Sequence, residues 1–246
     1  YAYICSGEVN YAGGEDTALE ANEYDLICDV RESNIFLGHR RLAIIDMSSL
    51  GHQPMSHDNL TMVFNGEIFN YEEIRNELII LGYSFSSQTD SEVFLKAYHC
   101  WGDSAFNRFN GMWAAAFYDS KTEALTLVRD RFGIKPLFYS YRKKDQSLCF
   151  ASEIKGLLPL IGSLELNPKI AFDYLRYCLI DHTNQTFFEG VYSLEAGCKA
   201  TFKDYVSIER YYTPSAGGGD IEDTIFDSVK LRTRTDTEFG VSLSGG

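Results

Sequence analysis

Asn65 and Gly66 stand together in the stretch FNGEIFNY (64–71) and have two possible roles. An asparagine amide beside a glycine N–H can point two donors at one developing oxyanion, which is the chemistry of acyl transfer. The same dipeptide between apolar runs is also the strongest short-range signal for a tight β-hairpin. On this stretch alone, a hairpin turn is favoured over an oxyanion hole.

Two further motifs could bind the charged ends of a small molecule. Arg41 in GHRRLAIID could hold a carboxylate through two parallel hydrogen bonds, although an exposed arginine on a strand is the simpler interpretation. Asp90 in TDSE could receive an ammonium group. Thr89 and Glu92 of the same motif fit a helix capping box, and capping is favoured for this stretch.

The stretch DRFGIKPLFY (130–139) contains two more candidate ligands. Arg131 and Lys135 are plausible partners for an anion. Gly133 and Pro136 suit an ordinary connection between strands, so this stretch alone does not indicate a site.

Composition and spacing exclude several classes of protein. A formal net charge of −13 argues against a nucleic-acid-binding protein, which would carry a basic face. Neither the histidines nor the cysteines have metal-ligand spacing, so we expect no metal site and reduced cysteines. No apolar run approaches the roughly 20 residues of a membrane span and the N-terminus lacks signal-peptide features, so a cytoplasmic location is expected. The cysteines are Cys5, Cys28, Cys100, Cys149, Cys178 and Cys198.

Strands are predicted where apolar residues alternate or cluster between turn signals. They are expected within residues 3–9, 35–46 and 60–71, followed by a meander of short strands between 112 and 153. A last short strand is expected in EFGVSLSGG (238–246), whose Gly-rich end is how a phosphate-binding loop begins.

Helices are predicted from apolar periodicity and from capping signals. Asn70 and Glu73 would form a capping box at the start of one helix, and Asn167 would cap another whose first residue is Pro168. Groups of strands separated by helices indicate an α+β layered sandwich instead of a regular βαβ repeat. The helices are expected over 71–81, 91–101, 168–179 and 221–235, the last after a linker at 213–220.

The order of the motifs is more specific than any single motif. Together they closely resemble the asparagine synthetases that use glutamine, from about residue 35 to the last residue. In chain order the motifs are GHRRLAIID, GHQPM, FNGEIFNY, TDSE, NGMWAAAFYD, RDRFGIKPLFY, ASEIKGLL and GVSLSGG.

This resemblance implies two domains and an activity. Residues 1–212 would form a class II glutamine amidotransferase domain, an N-terminal-nucleophile hydrolase with a four-layer αββα sandwich. Residues 213–246 would be a linker and the truncated start of an α/β nucleotide-binding domain. The implied enzyme is an ATP-dependent ligase that transfers ammonia from glutamine to a carboxylate, such as that of aspartate, activated as an acyl-adenylate. It would bind no nucleic acid and no membrane, and it could form a homodimer.

The resemblance also implies roles for individual residues. Asn65 and Gly66 would hold the oxyanion formed when an N-terminal cysteine, with its own α-amine as base, attacks the amide of glutamine. Arg41 would pair with the α-carboxylate of glutamine, and Glu67 and Asp90 would receive its α-ammonium. The backbone of Leu42, Ala43, Ile44 and Ile45 would line the pocket. ATP and Mg²⁺ would bind in the second domain, beginning at Leu243, Ser244, Gly245 and Gly246.

The N-terminal residues differ from the family pattern. Alignment on GEV (7–9) puts Tyr3 at the position of the nucleophile, Cys5 is better explained as a strand residue, and the family's His-Arg-Gly-Pro-Asp loop is absent. In one interpretation the glutaminase site has decayed and the ligase uses ammonia or an amine on its own substrate. In another, the missing residues lie outside this sequence and the enzyme is an active glutamine-hydrolysing asparagine synthetase. A non-catalytic, regulatory glutamine-binding module is the third alternative.

Overall fold

The structure, a computed structural model, describes residues 34–144, 146–203 and 205–242 and the backbone of residues 2–5, 8–13 and 25–26. Within these residues the strands are β1 (Ala2–Cys5), β2 (Glu8–Gly13), β3 (Asp25–Leu26), β4 (Ile35–Leu37), β5 (Met55–His57), β6 (Leu60–Ile68), β7 (Gly111–Asp119), β8 (Ala124–Arg129), β9 (Phe138–Arg142), β10 (Ser147–Ala151), β11 (Tyr192–Ser193), β12 (Cys198–Phe202) and β13 (Val206–Arg210). The helices are α1 (Tyr71–Ile80), α2 (Asp90–Trp101), α3 (Leu158–Ile161), α4 (Pro168–Tyr177) and α5 (Ile221–Arg232).

In the described part of the chain the strands form three sheets. The large sheet has the order β13-β12-β8-β7-β6-β5 and is antiparallel throughout. The small sheet has the order β10-β9-β11, and the N-terminal sheet has the order β3-β2-β1-β4. The predicted meander is therefore divided between two sheets. The Asp130 carboxylate accepts hydrogen bonds from the N–H groups of Phe132, Ile134 and Lys135, which holds this connection as a loop instead of a tight hairpin.

Alternation along β7 separates two parts of the core. Trp113, Ala115 and Phe117 pack with buried residues of α1 and α2. Ala114 and Ala116, on the opposite face, pack with buried residues of β4, β9 and β12. The described residues are thus layered as helices, large sheet and further strands, which confirms the predicted α+β class.

Three predicted strands differ from the structure. The strand expected over 3–9 is two antiparallel strands, because Ile4 pairs with Val9. The strand expected over 35–46 ends at Leu37, because the carbonyls of Ile45 and Asp46 accept hydrogen bonds from the Arg41 side chain and not from a neighbouring strand. Residues 238–242 form no strand because they join no sheet in the described structure, and the rest of that prediction lies outside the described residues.

The predicted helices are present, but their caps differ. Asn167 caps α4 by accepting from the N–H groups of Lys169 and Ile170, as expected. Asn70 makes no side-chain cap on α1, because its amide bonds the backbone of Arg108 and Asn110. The capping box predicted there is therefore wrong.

The segment 213–220 contains no helix or strand, as predicted for a linker. In α5, Ile221, Ile225 and Val229 are all exposed in the described structure. The division of the chain into two domains at this linker stays a prediction. Among the described residues, no helix combines the length and the hydropathy that crossing a bilayer requires.

Candidate functional site

Asn65 and Gly66 lie inside a strand, so the predicted hairpin turn is wrong. They are opposite Ala114 and Trp113 in the continuous pairing of β6 with β7. Gly66 has φ +142°, and a Cβ atom there would lie 2.1 Å from the carbonyl oxygen of Met112. The glycine therefore permits a close approach of two strands, and not a chain reversal.

Strand β5 pairs with only the first part of β6. Beyond it, side chains cover the edge of β6 that faces away from β7. The N–H of Phe64 donates to Oε1 of Gln53 at 2.6 Å, and the N–H of Ile68 donates to Oδ2 of Asp90 at 3.0 Å. Because N–H groups alternate between the two edges of a strand, the N–H of Gly66 points to this same edge.

The neighbouring strand does not satisfy the N–H of Gly66. Trp113 lies opposite Gly66. The N–H of Trp113 donates to Oδ2 of Asp130, and its carbonyl accepts from the N–H of Asp130, so both groups point away from Gly66. Within the described residues, Gly66 therefore has an N–H without a hydrogen-bond partner, between two that side chains satisfy. Such a donor is available to an oxygen atom that enters from the edge of the sheet.

This edge opens into a cavity of about 140 Å³. Of the residues predicted to bind glutamine it includes all except Ala43, whose neighbours on both sides line it. The lining consists of His39, Arg40, Arg41, Leu42, Ile44, Ile45, Gln53, Phe64, Asn65, Gly66, Glu67, Asp90, Ser91, Met112 and Lys135.

Arg41 stands on the loop that follows β4 and is held by backbone carbonyls of that loop. Nη1 donates to the carbonyl of Ser48 at 2.8 Å, and Nη2 donates to the carbonyls of Ile45, at 2.9 Å, and Asp46. Gly51 leaves room for the guanidinium, since a Cβ atom there would lie 2.3 Å from Nη2. The loop thus fixes a cation at the cavity wall, and within the described residues the N–H of Nε and one N–H of Nη1 remain for a ligand.

Two carboxylates, Asp90 and Glu67, lie on the cavity wall, and no cation of the described structure contacts them. Burial raises the pKa of Asp90 to about 6, and the nearby charge of Glu67 adds to the effect. Burial also raises the pKa of Glu67, and Lys135 partly opposes it. No ion pair within 4.0 Å involves either carboxylate in the described part of the chain. A ligand ammonium group would supply the missing positive charge.

Asn65 lies between this cavity and a second one of about 210 Å³, which it also lines. Its Nδ2 donates to Oγ of Ser152 at 3.3 Å. This long contact with an exposed hydroxyl is weak, so the amide can turn toward another acceptor at little cost. Two adjacent residues of the cavity wall, Asn65 and Gly66, thus carry amide donors, and charged groups of both signs lie elsewhere on the wall.

Comparison with known proteins identifies the family. A model of the glutamine amidotransferase domain matches residues 23–213, which is more than three quarters of the chain. The chain belongs to this family.

Two relatives of this chain are named as asparagine synthetases. The chain is 33% identical to asparagine synthetase [glutamine-hydrolyzing] 1 of Bacillus subtilis, over 87% of this chain and 35% of that protein. It is 31% identical to putative asparagine synthetase [glutamine-hydrolyzing] 2 of Methanocaldococcus jannaschii, over 97% of this chain and 50% of that protein. The chain therefore spans half or less of these relatives.

A solved structure is also similar in part. It is the glutamine phosphoribosylpyrophosphate amidotransferase of B. subtilis in complex with ADP and GMP. The match has a TM-score of 0.49 and 19% identity and covers 72% of this chain and 34% of that one.

Some residues of the cavity wall are not predicted by the sequence. Lys135 lines the cavity near Glu67, although Gly133 and Pro136 in the same stretch favour an ordinary connection between strands. Gln53 belongs to the GHQPM motif, which by itself predicts no role for this side chain. His39 directly precedes the two arginines, and burial, with the nearby His52 and Arg41, lowers its pKa to about 4. A half-buried, neutral His39 could not have been inferred from its position in the chain.

One other candidate residue, Arg131, lies away from the cavity, and the rest lie outside the described residues or, for Tyr3, have only the backbone described. Arg131 donates to the carbonyl of Asn107 and lies over the ring of Tyr212, away from the cavity lining. The backbone of Tyr3 pairs with Phe36 and Asn10, but its side chain lies outside what the structure describes. The predicted ATP-binding residues Leu243, Ser244, Gly245 and Gly246 also lie outside the described residues.

Proposed function

We propose that the cavity binds glutamine and that its edge at Asn65 and Gly66 faces the side-chain amide. The observation that carries the proposal is the N–H of Gly66, which lacks a partner in the described structure and lies beside the amide of Asn65. Attack on an amide carbonyl puts negative charge on its oxygen, and two preorganised donors stabilise that charge. Loss of one such donor typically lowers the rate about 100–1000-fold.

The charges on the cavity wall support an amino acid as the ligand. Asp90 and Glu67 are suited to an α-ammonium group, since burial disfavours their charge and no cation contacts them in the described chain. Arg41 is suited to an α-carboxylate, because its guanidinium is fixed by its own loop before any ligand arrives. Opposite charges on the wall favour a zwitterion over a simple amide.

The whole protein is proposed to be an ATP-dependent ligase that forms an amide. Its nitrogen would come from glutamine or from ammonia, and its acceptor carboxylate would be activated as an acyl-adenylate. Support comes from the name of the relatives, asparagine synthetase [glutamine-hydrolyzing]. These relatives are longer than this chain. ATP and Mg²⁺ would serve the activation step, and their predicted site begins at residues 243–246.

Two activity measurements on the full-length protein test the proposal. We expect ATP-dependent amide formation with aspartate or a related carboxylate, supported by ammonium and, where a nucleophilic cysteine is present, by glutamine. Glutamine hydrolysis would exclude the decayed-site interpretation. No ATP turnover with any carboxylate would contradict the ligase, and glutamine binding without either activity would favour the regulatory module.

Arg41 provides the test of binding itself. Replacement by alanine removes a charge-assisted hydrogen bond worth about 1.5–3 kcal/mol, so glutamine should bind at least tenfold more weakly. Isothermal titration calorimetry measures this, with the exposed Arg176→Ala on α4 as a matched control. Equal glutamine affinity of the Arg41→Ala and Arg176→Ala proteins would contradict the proposed orientation.

A further inference from the structure

The residues that follow α5 make direct contact with the loop that carries Arg41. The N–H of Asp236 donates to the carbonyl of Ile44 at 3.1 Å. In return, the N–H of Asp46 donates to Oδ2 of Asp236 at 2.8 Å. Thr235 adds a longer contact, from its hydroxyl to the same carbonyl of Ile44 at 3.4 Å. Segment 234–236 is thus hydrogen-bonded to both donors and acceptors of this loop, across about 190 residues of sequence.

Arg234 ties the same segment to the end of β6 and to α1. Its guanidinium donates to both carboxylate oxygens of Glu73, at 2.6 and 2.7 Å, and to the carbonyl of Phe69 at 2.8 Å. The hydrogen bond from Arg234 lowers the pKa of Glu73. Phe69 directly follows Ile68, whose N–H is bonded to Asp90. Arg234 therefore holds the segment at Phe69, one residue after the hydrogen-bond partner of Asp90.

The loop residues that the segment holds are themselves connected to the cavity. Ile44 lines it. The carbonyl of Asp46 accepts from Arg41, and its carboxylate accepts from the N–H of Gln88 at 2.7 Å, just before the helix that begins with Asp90. Asp46 thereby joins the segment, the arginine and the start of α2 in one hydrogen-bonded unit.

We propose that Arg234 and Asp236 are positioning residues for the amino-acid cavity. They hold the loop of residues 41–46 in the shape in which Arg41 and Ile44 form its wall. This inference rests on the proposed glutamine site. It adds that the affinity for glutamine depends on a segment outside the cavity, located between α5 and the predicted ATP-binding residues. A displacement of that segment would release the loop and weaken binding of the α-carboxylate.

The test uses three variants of the full-length protein. Asp236→Ala removes the acceptor for the N–H of Asp46, Asp236→Asn keeps an oxygen acceptor at that place, and Asp227→Ala removes an exposed aspartate on α5 as the control. Hydrogen–deuterium exchange of residues 41–48 measures the loop, calorimetry measures glutamine affinity, and thermal unfolding measures overall stability.

We expect Asp236→Ala to speed exchange of residues 41–48 at least tenfold and to weaken glutamine binding about three- to tenfold, as loss of one hydrogen bond does. Asp236→Asn should stay within about twofold of wild type, and all variants should unfold near the same temperature. Unchanged exchange in Asp236→Ala would overturn the positioning role, and so would an Asp236→Asn protein as impaired as Asp236→Ala. If the wild-type protein binds no glutamine, the proposed function fails, while faster exchange in Asp236→Ala still supports the positioning role.

Discussion

At the scale of single residues, two features of the structure at position 66 require glycine: the backbone conformation and the close approach of β7. The φ of +142° at Gly66 is unfavourable for other residues, and a Cβ atom would lie 2.1 Å from the carbonyl of Met112 and 2.6 Å from Cα of Trp113. Both neighbours are backbone atoms of a central strand, so they cannot move aside cheaply. The same geometry brings the N–H of Gly66 to the cavity edge.

Gly66→Ala should therefore cost the protein more than about 2 kcal/mol of unfolding free energy. Gly217→Ala is the matched control, because nothing lies within 4 Å of a Cβ atom built there. We expect this exposed linker substitution to stay within about 0.5 kcal/mol of wild type. Urea unfolding followed by circular dichroism compares the two. Equal stability of both variants would show that the strands are farther apart than described.

Asp90 should be unfavourable for stability and favourable for binding. Burial raises its pKa from an ordinary 3.8 to about 6, so its charge destabilises the folded state fully above pH 6 and not at all below 3.8. Asp90→Asn should then raise the free energy of unfolding by up to about 3 kcal/mol at pH 8 and by little at pH 4. The N–H of Ile68 keeps an oxygen acceptor in this variant.

The same substitution should weaken glutamine binding about tenfold or more at pH 8, because it removes a charge that faces the ammonium group. For wild type, the affinity should fall as the pH drops through about 6. Chemical unfolding at both pH values and calorimetry measure the two effects, with Asp227→Asn on the exposed face of α5 as control. An Asp90→Asn protein that is less stable at pH 8 than at pH 4, relative to wild type, would contradict the assignment.

At the scale of elements, the start of α2 depends on a buried ion pair and not on a complete capping box. Thr89 accepts from the N–H of Glu92, as predicted, but the Glu92 carboxylate accepts from the N–H groups of Ser86 and Ser87. It also accepts from Lys96 at 2.6 Å. This network holds the residues just before Asp90 and so orients that carboxylate.

Acid should release this network in a defined pH range. Burial opposes the charge of Glu92, but the bonds from Lys96 and from the serines prevail and lower its pKa from 4.5 to about 2. Its contribution to stability, about 3 kcal/mol, is complete above pH 4.5 and is lost as the pH falls toward 2. The Glu92→Gln protein should be less stable than wild type at pH 7. Between pH 4.5 and 2 it should lose less unfolding free energy than wild type does. Urea unfolding across pH, with exposed Glu165→Gln as control, measures this; parallel profiles of wild type and Glu92→Gln would refute it.

The elements that sequence predicted correctly are those specified by local chemistry. The Asn167-Pro168 start of α4 is an example, since both residues act within one helical turn. The errors occur where a group expected to bond within its own segment bonds instead to a residue far away in the sequence. Asn70 bonds residues 108 and 110 instead of its own helix, and Asn65-Gly66 pairs with β7 instead of forming a turn.

At the scale of the whole molecule, the ordered motifs predicted which residues share a cavity far better than any motif did alone. Arg41, Asn65, Gly66, Glu67 and Asp90 come from three separate elements and line one space. Their separate patterns favoured a surface arginine, a turn and a helix cap. The contributions of Gln53 and Lys135 were not predicted, because they depend on how loops fold over the edge of the large sheet.

The most direct test is a crystal structure of the protein with glutamine. We predict the amide oxygen within hydrogen-bond distance of the N–H of Gly66 and Nδ2 of Asn65. The α-carboxylate should be at Arg41, and the α-ammonium should be at Asp90 and Glu67. Glutamine bound in the reverse orientation, or outside this cavity, would contradict the account.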